Sequence, residues 1–369
     1  MDKKKIMLYL MHIDWNWIKQ RPQYIEEALE KDFDITVLCP RNYRLKEYHD
    51  KANVNVFYTI PFIRRYPGIW KIDDWRKRGK IGGLIRKIKP DVIFCTSPEF
   101  ASSIPASYKG QVIYDCMDDM LAFNTQGHFV ERVASQEGRM VKHADLILAT
   151  SERLKGILEK RYPDAKQKMH IVRNGYDGNI ASVMPHRRNN RYAFCYFGTI
   201  SHWFNFDYIL KSLEEFPEIE YRLIGPVEGG TSIPQHERIC HIPPVKHEDL
   251  FLATQNVDAF IMPFQINELI LSVDPVKLYE YINYGKDILC VEYPEIERFS
   301  PFVYFYDDYE SFANQIEVMK KKSTRKYSED KRISFLEHNG WQQRAELIVN
   351  CIKDLSNDGD FLTGRTEVI

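Results

Sequence analysis

Residues 263–285 read PFQINELILSVDPVKLYEYINYG and predict how the second half of the chain folds. The apolar run just before this stretch predicts a buried strand. Asp274 suits a helix N-cap, Pro275 suits the first helical position and Gly285 suits a left-handed stop, so we expect a helix over 275–284. A strand that leads through a loop into a helix N-terminus presents free backbone N–H groups to an anion.

Two charged side chains of this helix indicate what the anion would be. Lys277 lies in the first turn, where the helix dipole disfavours a cation unless an anion binds there. Glu280 lies on the same face, roughly 4.5 Å further along the axis, and a carboxylate suits the cis-diol of a ribose. The helix and the loop with Ser272 therefore favour a nucleotide-sugar. An ordinary amphipathic helix with a Lys–Glu pair facing solvent fits the spacing equally well.

The rest of the chain alternates apolar runs with helical patterns, which predicts an α/β protein with buried parallel sheets. Strands are expected at 6–11, 35–39, 54–60, 92–95, 112–114, 146–149 and around 171, and again at 194–197, 221–224, 239–242, 257–262, 288–291 and 303–306. Helices are expected at 22–30, 79–88, 128–143, 151–162, 205–216, 247–255, 275–284, 308–321 and 340–355. Two such series predict two doubly wound, Rossmann-like domains that face each other across a cleft.

Composition and missing motifs exclude several classes of protein. A net charge of −1 argues against a general nucleic-acid binder. The seven cysteines, at 39, 95, 116, 195, 240, 290 and 351, form no C-x-x-C pair, so we expect a reduced, cytoplasmic protein without disulfides or structural zinc. Neither a G-x-G-x-x-G after the first strand nor a P-loop is present, and no apolar run reaches the roughly 18 residues that span a bilayer.

Two further places could hold reacting groups. Asp115, Asp118 and Asp119 follow a predicted buried strand, where open α/β sheets bind ligands, and crowding can raise the pKa of one carboxyl towards that of a general base. Either Asp118 or Asp119 is the candidate base; both could instead cap the following segment. Gly198 follows another strand, where a missing side chain lets the backbone approach a phosphate, although a plain turn needs glycine equally.

The loop after the first strand is a candidate sugar-binding surface. Trp15 and Trp17 offer flat apolar rings to a sugar, and Arg21 could hold an anionic group with two hydrogen bonds. Each tryptophan could equally pack beneath the loop.

The run DPVKLYEYINYGK, from Asp274 to Lys286, resembles the donor-binding signature of GT-B glycosyltransferases. The likeness is closest to the family-4-like enzymes that build bacterial capsules, teichuronic acids and exopolysaccharides. It implies that Glu280 holds the ribose hydroxyls. The family usually has a second glutamate eight positions earlier, where this chain has Ser272, and Glu268 is four residues too early. How the donor hexose is held, and whether its stereochemistry is retained or inverted, therefore stays open.

The resemblance extends to three weaker motifs. Residues 196–202 resemble the first loop of the family's second domain, which adds Thr199 and Ser201 to Gly198 as donor-binding residues. Residues 242–250 resemble the segment that recognises the base, which implies that Pro244 and Val245 line its pocket. The trio Gln20-Arg21-Pro22 resembles a signature of the same polysaccharide transferases and adds Gln20 to the acceptor-binding candidates. After the predicted strand at 112–114, Met117 stands where enzymes of this family often have a histidine that precedes an aspartate.

The resemblance implies an N-terminal acceptor domain at 1–180 and a C-terminal nucleotide-sugar domain at 190–340, joined by the polar stretch 185–191. A terminal helix at 341–355 would return to the N-terminal domain before a frayed tail at 356–369.

The resemblance further implies a glycosyltransferase that moves a sugar from a nucleotide diphosphate sugar, here a UDP-sugar, to a glycan or lipid-linked acceptor. The nucleotide-sugar is a substrate, and we expect no cofactor and no metal, because Lys277, Ser272 and the backbone near Gly198 would stabilise the leaving diphosphate. The alternatives are a nucleotide-sugar 2-epimerase, which shares the fold, and an inactive nucleotide-sugar-binding partner subunit.

The composition of residues 61–90 predicts a surface that binds anionic membranes. This stretch has ten basic residues and only two acidic ones, Asp73 and Asp74. Tyr66, Trp70 and Trp75 lie among them. Basic and aromatic side chains together bind the headgroup region of anionic bilayers, which would place the protein at the inner face of the cell membrane. A solvated basic surface that serves solubility fits the same composition.

Overall fold

The computed structural model describes residues 3–17, 19–42, 51–58, 67–122, 128–183, 191–228 and 230–363. The chain divides into two compact units, which we call unit 1 (residues 1–177 and 340–369) and unit 2 (178–339). Each unit is a parallel sheet with helices, which confirms the predicted fold class of two parallel-sheet α/β domains. The predicted linker at 185–191 lies, apart from Arg191, outside the described residues.

Unit 1 contains a seven-stranded parallel sheet in the order β3-β2-β1-β4-β5-β6-β7. Its strands are β1 (Lys5–Leu10), β2 (Phe33–Pro40), β3 (Val54–Phe57), β4 (Val92–Cys95), β5 (Gln111–Cys116), β6 (Leu146–Ala149) and β7 (Met169–Ile171). Its helices are α1 (Arg21–Leu29), α2 (Pro67–Ile88), α3 (His128–His143), α4 (Glu152–Arg161) and, at the end of the chain, α11 (Trp341–Thr363). Short 3₁₀ helices span Pro98–Ser103 and Pro163–Lys168.

Alternate residues of the central strands enter two different cores, one on each face of the sheet. In β1, Leu8 and Leu10 join one core, whereas Met7 and Tyr9 join the other. Tyr9 stacks on Phe94 of β4 with ring centroids 4.8 Å apart. Burial on both faces explains why these strands are continuously apolar in sequence.

Helix α11 belongs to unit 1 and packs against α1. Trp341 stacks on Tyr24 with centroids 5.3 Å apart, and its backbone N–H donates to the Tyr176 carbonyl at 2.9 Å. Ile348 and Ile352 join the core on that face of the sheet. The helix continues to Thr363, so the prediction that it ends at 355 was wrong; residues 364–369 lie outside the described part.

Unit 2 contains a six-stranded parallel sheet in the order β10-β9-β8-β11-β12-β13. Its strands are β8 (Tyr192–Phe197), β9 (Ile219–Ile224), β10 (Ile239–Ile242), β11 (Ala259–Met262), β12 (Asp287–Val291) and β13 (Val303–Tyr306). Its helices are α5 (Phe206–Glu215), α6 (His247–Ala253), α7 (Glu268–Leu271), α8 (Val276–Asn283), α9 (Tyr309–Lys321) and α10 (Glu329–His338), with a 3₁₀ helix at Pro294–Phe299.

Sequence patterns missed α7, α10 and the first half of α2. Helix α10 is hard to predict because Arg332, one of its buried residues, is charged. The Arg332 guanidinium donates to the Ala181 carbonyl at 2.9 Å and also bonds Asn283 and Glu329, so burial leaves it satisfied. In α2, a buried Asp73–Lys77 ion pair at 3.0 Å stabilises the helix. The nearby glycines are poor helix formers, so the sequence pattern did not predict the first half of α2.

Both sheets reverse their strand order at one point, between β1 and β4 in unit 1 and between β8 and β11 in unit 2. Open parallel sheets bind ligands at such switch points, beyond the carboxyl ends of the strands. Among the helices of the described residues, none is both long enough and apolar enough to cross a membrane.

Candidate functional site

Helix α8 follows β11 at the switch point of unit 2, but its start differs from the prediction. Pro275 is the N-cap and makes no side-chain cap hydrogen bond, so the helix begins at Val276. Asp274 was predicted to cap the helix and to help bind the donor; instead its buried carboxylate pairs with the Arg298 guanidinium. A buried carboxylate needs a charged partner, and Arg298 supplies one more strongly than a backbone N–H would.

Lys277 and Gly198, which were both predicted to stabilise the leaving diphosphate, lie next to each other. Gly198 follows β8 with φ of +131°, and a methyl group at this position would lie 2.0 Å from Cε and 2.8 Å from Nζ of Lys277. The lysine chain therefore lies directly across the glycine backbone. Among the ion pairs of the described residues none includes Lys277, and burial lowers the pKa of its ammonium. A poorly solvated ammonium that forms no ion-pair contact among the described residues favours an anion at this place.

Glu280 lies one turn further along α8, and its partner was missed by the sequence analysis. The His247 ring nitrogen Nε2 lies 2.6 Å from Oε1 of Glu280. His247 is the first residue of α6 and lies two positions after Val245, which was predicted with Pro244 to line the base pocket. Pro244 is exposed and Val245 is half-buried. The contact brings that segment to the helix face that was predicted to hold the ribose.

The three hydroxyl groups predicted to bind the donor differ in their surroundings. Ser272 caps the end of α7, and its Oγ donates to the Glu268 carbonyl at 3.2 Å. Ser201 is buried, with Oγ 3.3 Å from the ring of His202. Thr199 is half-buried, and its carbonyl accepts a hydrogen bond from the Tyr196 hydroxyl at 2.8 Å. Ser272 would have to turn its proton away from the helix to donate it to a phosphate.

At the carboxyl end of β5 in unit 1, the first acid is committed to a buried ion pair. The Arg21 guanidinium donates to both oxygens of Asp115, from Nη2 at 2.8 Å and from Nε at 2.9 Å. Neither side chain is more than 4% exposed. Arg21 also donates to the Arg173 carbonyl and to Asn174. The structure therefore assigns Arg21 to the interior, which corrects its prediction as an acceptor-binding residue.

The third acid of the cluster is also held by a cation. Asp119 accepts two hydrogen bonds from Arg161 Nη2, at 2.7 and 2.9 Å. The same guanidinium donates to the buried Glu137 at 2.8 Å, and Glu137 accepts from the Tyr162 hydroxyl at 2.9 Å. This network joins the end of β5 to α3 and α4, so Asp119 has a structural partner.

Asp118 differs from its two neighbours because the residue as a whole is exposed to solvent. Desolvation nevertheless raises the pKa of Asp118 to about 6; Arg21 opposes the shift, and Asp115 and Asp119 add to it. A carboxylate with this pKa is deprotonated at neutral pH and is a stronger base than an ordinary aspartate. Of the two candidate bases, Asp118 lies at the surface and has a raised pKa, whereas Arg161 holds Asp119.

The loop between β1 and α1 contributes both buried and exposed groups. Trp15 is half-buried, with Lys51 Nζ 4.3 Å from its ring centroid. Trp17 is 39% exposed and Gln20 is exposed at the N-cap of α1. His12 Nδ1 lies 2.7 Å from Thr96 Oγ1, across the switch point, and burial lowers the pKa of His12 to about 4. The ring that joins the two loops is therefore neutral at neutral pH.

The basic segment is described from residue 67 onwards, so Arg64, Arg65 and Tyr66 lie outside the described residues. Lys77 is buried in its pair with Asp73 and adds nothing to the surface charge. Ile72 and Trp75 are 54% and 74% exposed, one turn apart on α2. The exposed basic residues around them and further along are Lys71, Arg76, Arg78, Lys80, Arg86, Lys87 and Lys89.

Residues 23–179 match the model of Glycosyltransferase Family 4. TuaH of Bacillus subtilis (strain 168), named as a candidate teichuronic acid biosynthesis glycosyltransferase, is 26% identical over 344 residues, which cover 83% of this chain and 86% of TuaH.

Solved structures resemble the whole chain in fold. The lipopolysaccharide outer core galactosyltransferase WaaB matches with a TM-score of 0.65 and 14% identity, over 94% of this chain and 99% of WaaB. HepE of Anabaena, in complex with UDP, matches with a TM-score of 0.65 and 13% identity, over 95% of this chain and all of HepE. At these identities the two structures establish a shared fold.

Proposed function

We propose that this chain, a family-4-like glycosyltransferase with the GT-B fold, moves a sugar from a nucleotide diphosphate sugar to a hydroxyl of a glycan or lipid-linked acceptor. We take the donor to be a UDP-sugar and the product to belong to a cell-surface polysaccharide. Both sequence matches are to glycosyltransferases, so the 2-epimerase alternative is not favoured.

The donor part of the proposal rests on Lys277, which lies against Gly198 without an ion-pair partner among the described residues. A diphosphate at this position would bind the ammonium and the free N–H groups at the start of α8. The ribose would then reach Glu280 one turn along, and the base would reach Pro244 and Val245. Charge that develops on the leaving diphosphate would be stabilised by Lys277, so turnover requires no metal ion.

The acceptor part of the proposal places the base in unit 1. Asp118 would accept the proton of the acceptor hydroxyl while that oxygen attacks the sugar's anomeric carbon and the bond to the diphosphate breaks. Its exposure and its pKa near 6 support this role. Trp17 and Gln20, which remain exposed, would contact the acceptor, whereas Trp15 and Arg21 support the loop from inside.

A ligand panel followed by product analysis tests the donor assignment. UDP-glucose, UDP-galactose, UDP-N-acetylglucosamine and the matching GDP-sugars are compared by thermal shift, since a ligand at 100 times its dissociation constant adds about 2.7 kcal/mol of stability. One UDP-sugar should stabilise the wild type strongly and the Lys277→Ala variant less. The assignment is wrong if no nucleotide-sugar stabilises the protein.

Product analysis with and without a polysaccharide acceptor separates transfer from the alternatives. Transfer releases UDP only when acceptor is present, an epimerase changes the sugar without acceptor, and an inactive subunit leaves the donor intact. Turnover should survive EDTA; loss of activity that Mg²⁺ or Mn²⁺ restores would contradict the charge argument.

We further propose that α2 docks on an anionic membrane surface, where a lipid-linked acceptor would be met. Exposed Ile72 and Trp75 lie on one helix face beside Lys71 and Arg76, and this combination suits the headgroup region. Each basic side chain near anionic lipid is worth about 1 kcal/mol.

Co-sedimentation with liposomes tests the docking surface. Binding should require anionic lipid, weaken with salt and fall in the Lys71→Ser/Arg76→Ser and Trp75→Ser variants. Lys142→Ser/Lys160→Ser removes equal charge from α3 and α4 and should bind like the wild type. Equal recovery in the supernatant with neutral and anionic liposomes at low salt would contradict the proposal and favour a soluble acceptor.

A further inference from the structure

We propose that His247 is a positioning residue that orients the Glu280 carboxylate for the ribose of the donor, an inference that rests on the proposed function. The contact is short, with Nε2 of His247 2.6 Å from Oε1 of Glu280. The two residues lie 33 positions apart in sequence, on α6 and α8 of the same unit. The fold alone brings them together.

The geometry leaves Glu280 able to bind a diol. A carboxylate has about four lone-pair sites on its two oxygens, and a cis-diol uses one on each oxygen. A hydrogen bond from His247 Nε2–H takes one site on Oε1, which leaves one on Oε1 and both on Oε2. The histidine can therefore remain in place while both ribose hydroxyls donate to the same carboxylate.

Glu280 benefits from being held because a free glutamate side chain has several rotatable bonds. Its side chain is only 19% exposed, whereas that of His247 is 54% exposed. A contact whose histidine lies in solvent contributes little to folding stability. Ordering one flexible side chain before the ligand arrives is worth about 3- to 10-fold in affinity. The value of the contact therefore lies in donor binding.

The position of His247 in the chain adds a second consequence. It is the first residue of α6 and belongs to the same segment as Pro244 and Val245, two positions after Val245. The contact ties this segment, which would hold the base, to the carboxylate that would hold the ribose. Base and ribose recognition are then coupled through one hydrogen bond, and loss of the imidazole weakens both.

Calorimetric titration with UDP and with 2′-deoxy-UDP tests the inference. The wild type should bind UDP more tightly than 2′-deoxy-UDP, and Glu280→Gln should reduce that preference strongly. His247→Ala should weaken UDP binding about 3- to 10-fold and also reduce the preference. His247→Gln keeps an N–H donor near the position of Nε2 and should restore most of the difference. His338→Ala, at an exposed histidine of α10 in the same unit, is the matched control and should bind like the wild type.

A double variant shows whether the histidine acts through Glu280. If it does, His247→Ala/Glu280→Ala should bind both nucleotides like Glu280→Ala alone, because alanine leaves no side-chain acceptor for the imidazole to orient. An unchanged preference in His247→Ala, alongside a reduced one in Glu280→Gln, would overturn the inference and leave the donor site intact. Tighter UDP binding by His247→Ala would also overturn it, since the histidine would then compete with the ribose. An unchanged preference in Glu280→Gln would instead overturn the proposed donor site itself.

Discussion

The cations at the carboxyl ends of the two parallel sheets differ in whether a carboxylate already pairs with them. In unit 1, Arg21 is buried against Asp115 and Arg161 holds Asp119, so each cation already has its anion. In unit 2, Lys277 lies across Gly198, has no ion-pair partner among the described residues, and has a lowered pKa. A satisfied ion pair maintains a fold, whereas a poorly solvated cation without a partner favours a ligand.

The largest effect is expected for the carboxylates of unit 1. Asp118→Asn should lower kcat by about 10²- to 10⁴-fold, the usual contribution of a general base, and leave UDP affinity unchanged. Steady-state kinetics and calorimetry measure the two effects.

Asp119→Asn is the matched variant because it removes the neighbouring carboxylate from the Arg161 network. It should lower the unfolding free energy in urea, whereas Asp118→Asn should not. Loss of UDP affinity in Asp118→Asn, or an undiminished kcat, would contradict its role as the base.

The two cations offer the next test. Lys277→Ala should lower kcat by about 10²- to 10³-fold, the scale of one lost electrostatic partner in the transition state, with little loss of stability. Lys211→Ala removes an exposed lysine from α5 and should leave kcat unchanged. Wild-type kcat in the Lys277 variant would end the diphosphate assignment.

Arg21→Ala should show the opposite behaviour. It leaves the Asp115 carboxylate buried without its cation and should cost about 3–5 kcal/mol of unfolding free energy, measured by urea denaturation. If Arg21→Ala proved as stable as the wild type but lost activity, the assignment of Arg21 to the interior would be wrong.

The pH profile of kcat/KM offers the smallest but most specific test. A general base acts in its deprotonated form, and the pKa of Asp118 is raised to about 6. Activity should therefore be level above that pH and fall about tenfold for each pH unit below it. A profile that stays level down to pH 4.5 would show that no group with this pKa acts as the base.

Sequence patterns predicted the strands well because burial on both faces makes them continuously apolar. The bounds of β4, β6, β10 and β13 were predicted to the residue. Helices were predicted less well where charge or glycine hid their buried face, as in α10 and the first half of α2. The sequence assigned Lys277 and Gly198 to one diphosphate from local signals, and in the structure the two residues are neighbours.

What the sequence determined by itself was the two-sheet architecture, the likeness to family-4-like glycosyltransferases and the helix with Lys277 and Glu280. These follow from local patterns of polarity, turn residues and spacing along one element. Tertiary structure alone decided which charges are already neutralised: Asp274 by Arg298, Asp115 by Arg21 and Asp119 by Arg161. It also brought His247 to Glu280. These partners lie 24 to 94 positions apart in the chain, and no local pattern records which distant side chain will satisfy a buried charge.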